Sequence, residues 1–369
     1  MIGTVKMDDK KMRVGLVAPI PPPYGGIANW TRIMCENVPQ NVKYELINIS
    51  PGKRGIEGRD LFDRIVVSGL DIFRKKWALS KLITHNRIDV MHMTTSGQFA
   101  VIRDLMLLRQ AKKKRVPSIY HIRFGRISAI MKKNSLEWKL IYRAMQLATA
   151  VVVIDKKTFN CLKEYKDIEV SYIPNPITLE GFSCIKPEGV SRQILFLGWC
   201  IKTKGMEELL AAWEKLSLDY NDWQLKIIGP YNRNYIDSLK ERYSFRNVTL
   251  CGEREHSEAL KMMNLADIFI LPSYSEGFPN VILEAMGLGK AIVATNVGAI
   301  PEMLADKAGI LIEPYNVDSI ILALDQLISN RDLREEIGKN AYKKVRECYS
   351  YDIIMKKYEE LWNVSLKDE

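Results

Sequence analysis

LPSYSEGFPNVILEAMGLGKAIVAT, Leu271 to Thr295, carries one acid, Glu276, in a Gly-containing turn and a second, Glu284, inside an almost wholly apolar run. The run predicts a helix. Pro279 suits a first helical position, and Gly287 and Gly289 stop the helix before a strand at Ala291–Ala294. Val281, Ile282, Leu283, Ala285 and Met286 cover nearly every side, so the helix is expected to be buried. A buried carboxylate is costly unless it accepts hydrogen bonds, and a pair of neighbouring hydroxyls would supply them. Glu276 lies just before the helix, where the free N–H groups of the first turn favour an anionic ligand. The same spacing also fits a Glu284 paired with an interior Lys or Arg and a Glu276 that is a solvated loop charge.

Outward from this stretch, short apolar runs alternate with helical patterns in two series. The first is Met12–Ala18, Tyr44–Ile49, Val90–Met93, Ser118–His121, Val151–Ile154 and Val170–Ile173. The second is Ile194–Leu197, Leu225–Ile228, Val248–Cys251, Ile268–Leu271, Ala291–Ala294 and Ile310–Ile312. Strands alternating with helices imply parallel sheets covered on both faces. Between the series, residues 174–192 carry three prolines and two glycines without apolar periodicity and read as a linker. The expected organisation is therefore α/β, with Rossmann-like doubly wound domains at 1–173 and 193–345. The segment 346–369 contains an amphipathic helix, Tyr351–Trp362, and residues 1–11 read as a loose tail.

Three loops hold further candidates. After Met12–Ala18 comes PIPPPYGG, where Gly25 and Gly26 would let backbone approach a diphosphate at a helix start or would serve a tight turn needing positive φ. After ILFLG comes WCIKTKG, which places Lys204 near a helix start. A cation there opposes the macrodipole, and an anion would relieve it, although a solvated lysine tolerates the position. YHIRFGR puts His121 at a strand end with Arg123 and Arg126 beyond it; the His fits a structural role as well as a catalytic one, and the arginines could meet a phosphorylated acceptor or lie on the surface. His92 is left outside the site.

At 369 residues, with 54 basic and 44 acidic residues and a net charge of +10, the chain can build two cores and calls for an anionic partner. The basic segments Arg74–Lys76 and Lys112–Arg115 suit anionic headgroups or ordinary solvated helix faces, and no nucleic-acid motif accompanies them. No apolar run approaches bilayer length and no opening segment has a secretory pattern. A cytoplasmic location is expected, with peripheral contact on the inner face of the plasma membrane as an extension of it. Six scattered cysteines read as reduced thiols. No D-x-D and no ligand-spaced His/Asp cluster occurs, which argues against a metal at a leaving diphosphate; neither a metal nor a cofactor is expected.

The two acids and their surroundings, Leu265 to Glu302, resemble the E-x₇-E region of the family 4 glycosyltransferases, retaining enzymes of the GT-B fold. The resemblance covers most of the chain and is most specific from Ile194 to Glu302. It implies two Rossmann-like domains facing across a cleft, with the last helix crossing back to the first domain. It implies that Glu276, with the Gly277 and Phe278 amides, holds the transferred sugar and that Glu284 holds the nucleotide ribose. Gly198 and Lys204-Gly205 match the family's G-R-x-x-x-x-K-G diphosphate loop, with Trp199 in place of its frequent Arg, so phosphate binding would rest on Lys204, backbone amides and Lys202. Gly25 and Gly26 would lie over the donor phosphates and acceptor, and His121 would touch the donor sugar. The implied activity is retaining, metal-independent transfer from a nucleotide-diphosphate sugar to an acceptor hydroxyl. The acceptor expected is a glycan or lipid-linked glycan in envelope or capsular polysaccharide assembly. A nucleotide-sugar epimerase of the same fold, and a catalytically silent nucleotide- or lipid-binding protein, are the alternatives.

Overall fold

The computed structural model describes residues 11–21, 25–50, 74–85, 87–180, 182 and 191–367. They form two compact units, Met1–Pro174 with Met355–Glu369, and Asn175–Ile354. Of the expected tail at 1–11 only residue 11 is described, and of the expected linker at 174–192 residues 181 and 183–190 lie outside the described residues.

Both apolar series form parallel six-stranded sheets. In the first unit β1 (Met12–Ala18), β2 (Val42–Asn48), β3 (Val90–Thr95), β4 (Ser118–Ile122), β5 (Ala150–Val153) and β6 (Val170–Tyr172) lie in the order β2-β1-β3-β4-β5-β6. In the second, β7 (Gln193–Leu197), β8 (Gln224–Ile228), β9 (Val248–Gly252), β10 (Ile268–Leu271), β11 (Ala291–Thr295) and β12 (Ile310–Ile312) lie in the order β12-β11-β10-β7-β8-β9. Central strands such as IFIL and AVVV are buried along their whole length, as continuous branched apolar runs require when helices cover both faces. In each sheet the strand order reverses once, between β1 and β3 and between β7 and β10. Open parallel sheets bind ligands beside such a switch point, at the carboxyl ends of the strands.

The helix after β10 is Asn280–Gly287, one residue later than Pro279 suggests. Pro279 is its N-cap, extended at φ −74° and ψ 115°, so the ring fixes the entry and does not open the first turn. Ile282, Leu283, Glu284, Ala285, Met286 and Gly287 are all buried, as the apolar run predicts.

The final helix, Tyr351–Ser365, buries Ile354, Met355, Tyr358, Trp362 and Ser365 at helical spacing. Residues from Met355 onward belong to the first unit, where Tyr358 and Trp362 are wholly enclosed. Among the described residues no helix is long and apolar enough to cross a membrane.

Candidate active site

In the second unit the loops after β7 and β10, on either side of the switch point, are fastened together by three contacts. The loop after β7 closes in a short 3₁₀ turn, Lys202–Lys204, and then Gly205 at φ 73° caps the helix Met206–Asp219. A Cβ on Gly205 would stand 2.1 Å from the Pro272 carbonyl oxygen, so only glycine allows this approach. Tyr274 donates its backbone N–H to the Thr203 carbonyl at 2.9 Å. Lys204 Nζ donates to Glu276 Oε1 at 2.6 Å, with both side chains mostly shielded from solvent. The lysine placed near a helix start and the first acid of the E-x₇-E pair therefore meet directly.

The backbone beside Glu276 is fixed from the other side. Gly298, at φ 57°, lets the loop after β11 press onto it: a Cβ there would lie 2.2 Å from the Glu276 carbonyl oxygen. Ala299 N–H donates to the Gly277 carbonyl at 2.9 Å, so in the planar Gly277–Phe278 peptide the Phe278 N–H points the opposite way. Phe278 is buried edge-on against Tyr349, and its carbonyl accepts from Asn175 Nδ2 at 3.2 Å.

Glu284 is 6% exposed and, among the described residues, meets neither an interior Lys nor an Arg. Its Oε1 lies 2.8 Å from Nε2 of His256, a half-exposed residue opening the helix His256–Leu265 after β9. His256 went unpredicted. The usable signal was its place beyond a strand end, which puts it on the same rim as Lys204 and Glu276. Elsewhere on that rim Trp199 is 57% exposed, Lys202 is solvated at 3.9 Å from Glu207, and burial pushes the Cys200 thiol up to about 12, leaving it inert at neutral pH.

In the first unit Gly25 is extended at φ −178° and Gly26 begins the helix Gly26–Glu36, so positive φ is not what selects these glycines. A Cβ on either would meet nothing within 4 Å, which leaves the helix start uncrowded. His121 is completely buried, and His92, outside the expected site, is its partner: His92 Nε2 lies 3.0 Å from His121 Nδ1. Trp362 Nε1 donates to His92 Nδ1 at 3.0 Å. Burial, reinforced by Arg123, lowers His92 to about 3 and holds His121 well below its ordinary value, so both rings are neutral.

Of the basic segments, Arg74, Lys76 and Lys112–Arg115 are exposed while Lys75 is buried. Trp77, 68% exposed, lies under Lys81 on the same helix. The described cysteines are free thiols, Cys184 lying outside them, and among the described residues no group of three His, Cys, Asp or Glu side chains could hold a metal ion.

Residues 186–344 match the family model Glycosyl transferases group 1. The capsular polysaccharide biosynthesis glycosyltransferase CapM of Staphylococcus aureus is 30% identical over 175 residues, 47% of this chain and 46% of CapM. The chain thus aligns with about half the length of that relative. Sucrose-phosphate synthase from Thermosynechococcus elongatus superposes with a TM-score of 0.76 at 14% identity, covering 97% of this chain and 100% of the synthase. Anabaena HepE, solved in complex with UDP, gives 0.68 at 14% identity over 96% of this chain and 100% of HepE. The fold is GT-B.

Proposed function

We propose that this protein is a retaining glycosyltransferase that moves a sugar from a nucleotide-diphosphate donor to an acceptor hydroxyl in cell-envelope or capsular polysaccharide assembly. The observation that carries the reading is the Lys204–Glu276 contact at the switch point of a Glycosyl transferases group 1 domain. Lys204, with backbone amides, takes the donor diphosphate. Glu276 and the Gly277 and Phe278 amides take the sugar, and Glu284, oriented by His256, accepts the ribose hydroxyls. The acceptor belongs to the first unit, with Gly25, Gly26 and His121.

The chemistry asked of these residues is electrostatic. The bond from the anomeric carbon to the β-phosphate oxygen breaks, and the acceptor oxygen bonds to the same face of an oxocarbenium-like sugar. The acceptor proton passes to the departing phosphate oxygen. Lys204 balances the negative charge that grows on that phosphate, a task a metal ion performs in enzymes with D-x-D motifs. The similarity to CapM favours a glycan or lipid-linked glycan acceptor, and the exposed Arg74, Lys76, Trp77 and Lys112–Arg115 suit an anionic membrane surface.

Incubation with a panel of nucleotide sugars and lipid-linked acceptors tests the reading: an acceptor gaining one sugar with the donor's anomeric configuration is expected, and an inverted product or donor consumed without an acceptor contradicts it. Chelation should leave the rate unchanged. Sedimentation with liposomes should rise with anionic lipid content, and indifference to lipid charge removes the membrane contact.

A further inference from the structure

Arg123 and Arg126 look alike in the sequence, but the structure separates them. Arg126 is fully engaged, donating from Nη1 and Nη2 to the two carboxylate oxygens of Glu137 at 2.7 and 2.6 Å. Arg123 follows the last residue of β4, its backbone N–H on the Thr95 carbonyl at 3.1 Å, and is 8% exposed. Among the described residues it has no ion pair, and its Nε is buried without an acceptor. Its guanidinium lies 4.8 Å from the centre of the Trp30 ring, and Nη1 stands 3.4 Å from His121 Nε2. Burial lowers Arg123 to about 10, which still leaves it a cation at neutral pH.

That last neighbour is another donor. The Trp362 indole can only donate, so His92 Nδ1 accepts and the His92 proton is on Nε2. His92 Nε2 therefore donates to His121 Nδ1, and the His121 proton is on Nε2, facing Arg123. A fixed chain of hydrogen bonds thus ends in two facing donor groups, His121 Nε2 and Arg123 Nη1, beside a guanidinium N–H that has no acceptor among the described residues. A buried cation without a counter-charge is costly, and an acceptor-only group would satisfy all of these donors together.

The geometry points to an oxyanion site at Arg123 and His121 Nε2, taking a phosphoryl or carboxylate group carried by the acceptor. This rests on the reading that the first unit receives the acceptor. Trp362 and His92 are positioning residues, which set the His121 tautomer without touching the ligand.

The test uses nitrogen-labelled full-length protein, following the Arg123 Nε–H and the His121 ring nitrogens by NMR during titration with inorganic phosphate. The Arg123 signal is identified by its loss in Arg123→Gln. Phosphate should shift both groups saturably, and Trp362→Phe should weaken the response by about tenfold as the His121 tautomer is released. Signals unmoved by phosphate in the wild-type protein overturn the site, whatever the variants do. A second arm titrates nucleoside diphosphates, which should leave the Arg123 signal in place. A shift lost in Lys204→Met would assign the oxyanion to the donor and overturn its assignment to the acceptor. Phosphate bound at Arg123 in a protein that transfers no sugar would support the site and count against the transferase reading alone.

Discussion

In the second unit each basic group of the site stands against a carboxylate, Lys204 on Glu276 and His256 on Glu284, whereas the first unit's chain of Trp362, His92, His121 and Arg123 contains no acid. In the second unit Lys204 is already engaged before any ligand arrives, and a diphosphate entering there must share it with Glu276. In the first, burial keeps two histidines neutral, and Arg123 has no ion pair among the described residues.

The paired side is most exposed to damage at Gly205. Gly205→Val would place a Cβ on a carbonyl oxygen at positive φ, and the expected cost is roughly 2–4 kcal/mol of stability with transfer lost. Thermal unfolding together with an activity assay reads both, and an active, fully stable variant would show that the loops after β7 and β10 need not touch. Lys204→Met leaves the fold but removes the cation, and transfer should fall about a hundredfold, as loss of one transition-state contact does. An unchanged kcat would mean that the leaving phosphate is stabilised elsewhere. His256→Ala frees Glu284 from its orienting partner and should weaken nucleotide binding about tenfold by calorimetry. Unchanged affinity would reduce His256 to a surface residue.

The acid-free side makes a prediction about pH. His92 has a folded value near 3 against an ordinary value of 6.5, so between these the unfolded chain binds more protons than the folded one. Stability is therefore fully present above 6.5 and is lost as pH falls from there toward 3, with His121 acting in the same direction. Melting temperatures measured across this window should decline more steeply for the wild type than for His92→Gln, and equal slopes would place the acid sensitivity elsewhere.

What could be read in advance was what is written locally. Apolar runs marked the twelve strands of the described residues, most clearly the interior ones, because a strand buried on both faces must be continuously apolar. Glu284 stood out because a charge inside such a run needs an explanation, and Lys204 because it precedes a helix. Partners brought together by the fold were not legible: His256 lies 28 residues before Glu284, and Trp362 lies 270 residues after His92. Nothing local distinguishes Arg123 from Arg126; Glu137, on the next long helix, does so by taking only the second. Gly298 was passed over for the same reason, since the carbonyl it accommodates belongs to Glu276, on a different loop.

The most direct measurement is the rate of sugar transfer, at saturating donor and acceptor, by Glu276→Gln, which keeps the shape and removes the charge that faces Lys204. A loss of about a hundredfold in kcat with nucleotide affinity nearly unchanged is predicted, because Glu276 acts on the sugar and Glu284 on the nucleotide. A kcat equal to that of the wild type would remove Glu276, and with it the Lys204–Glu276 contact, from the reaction.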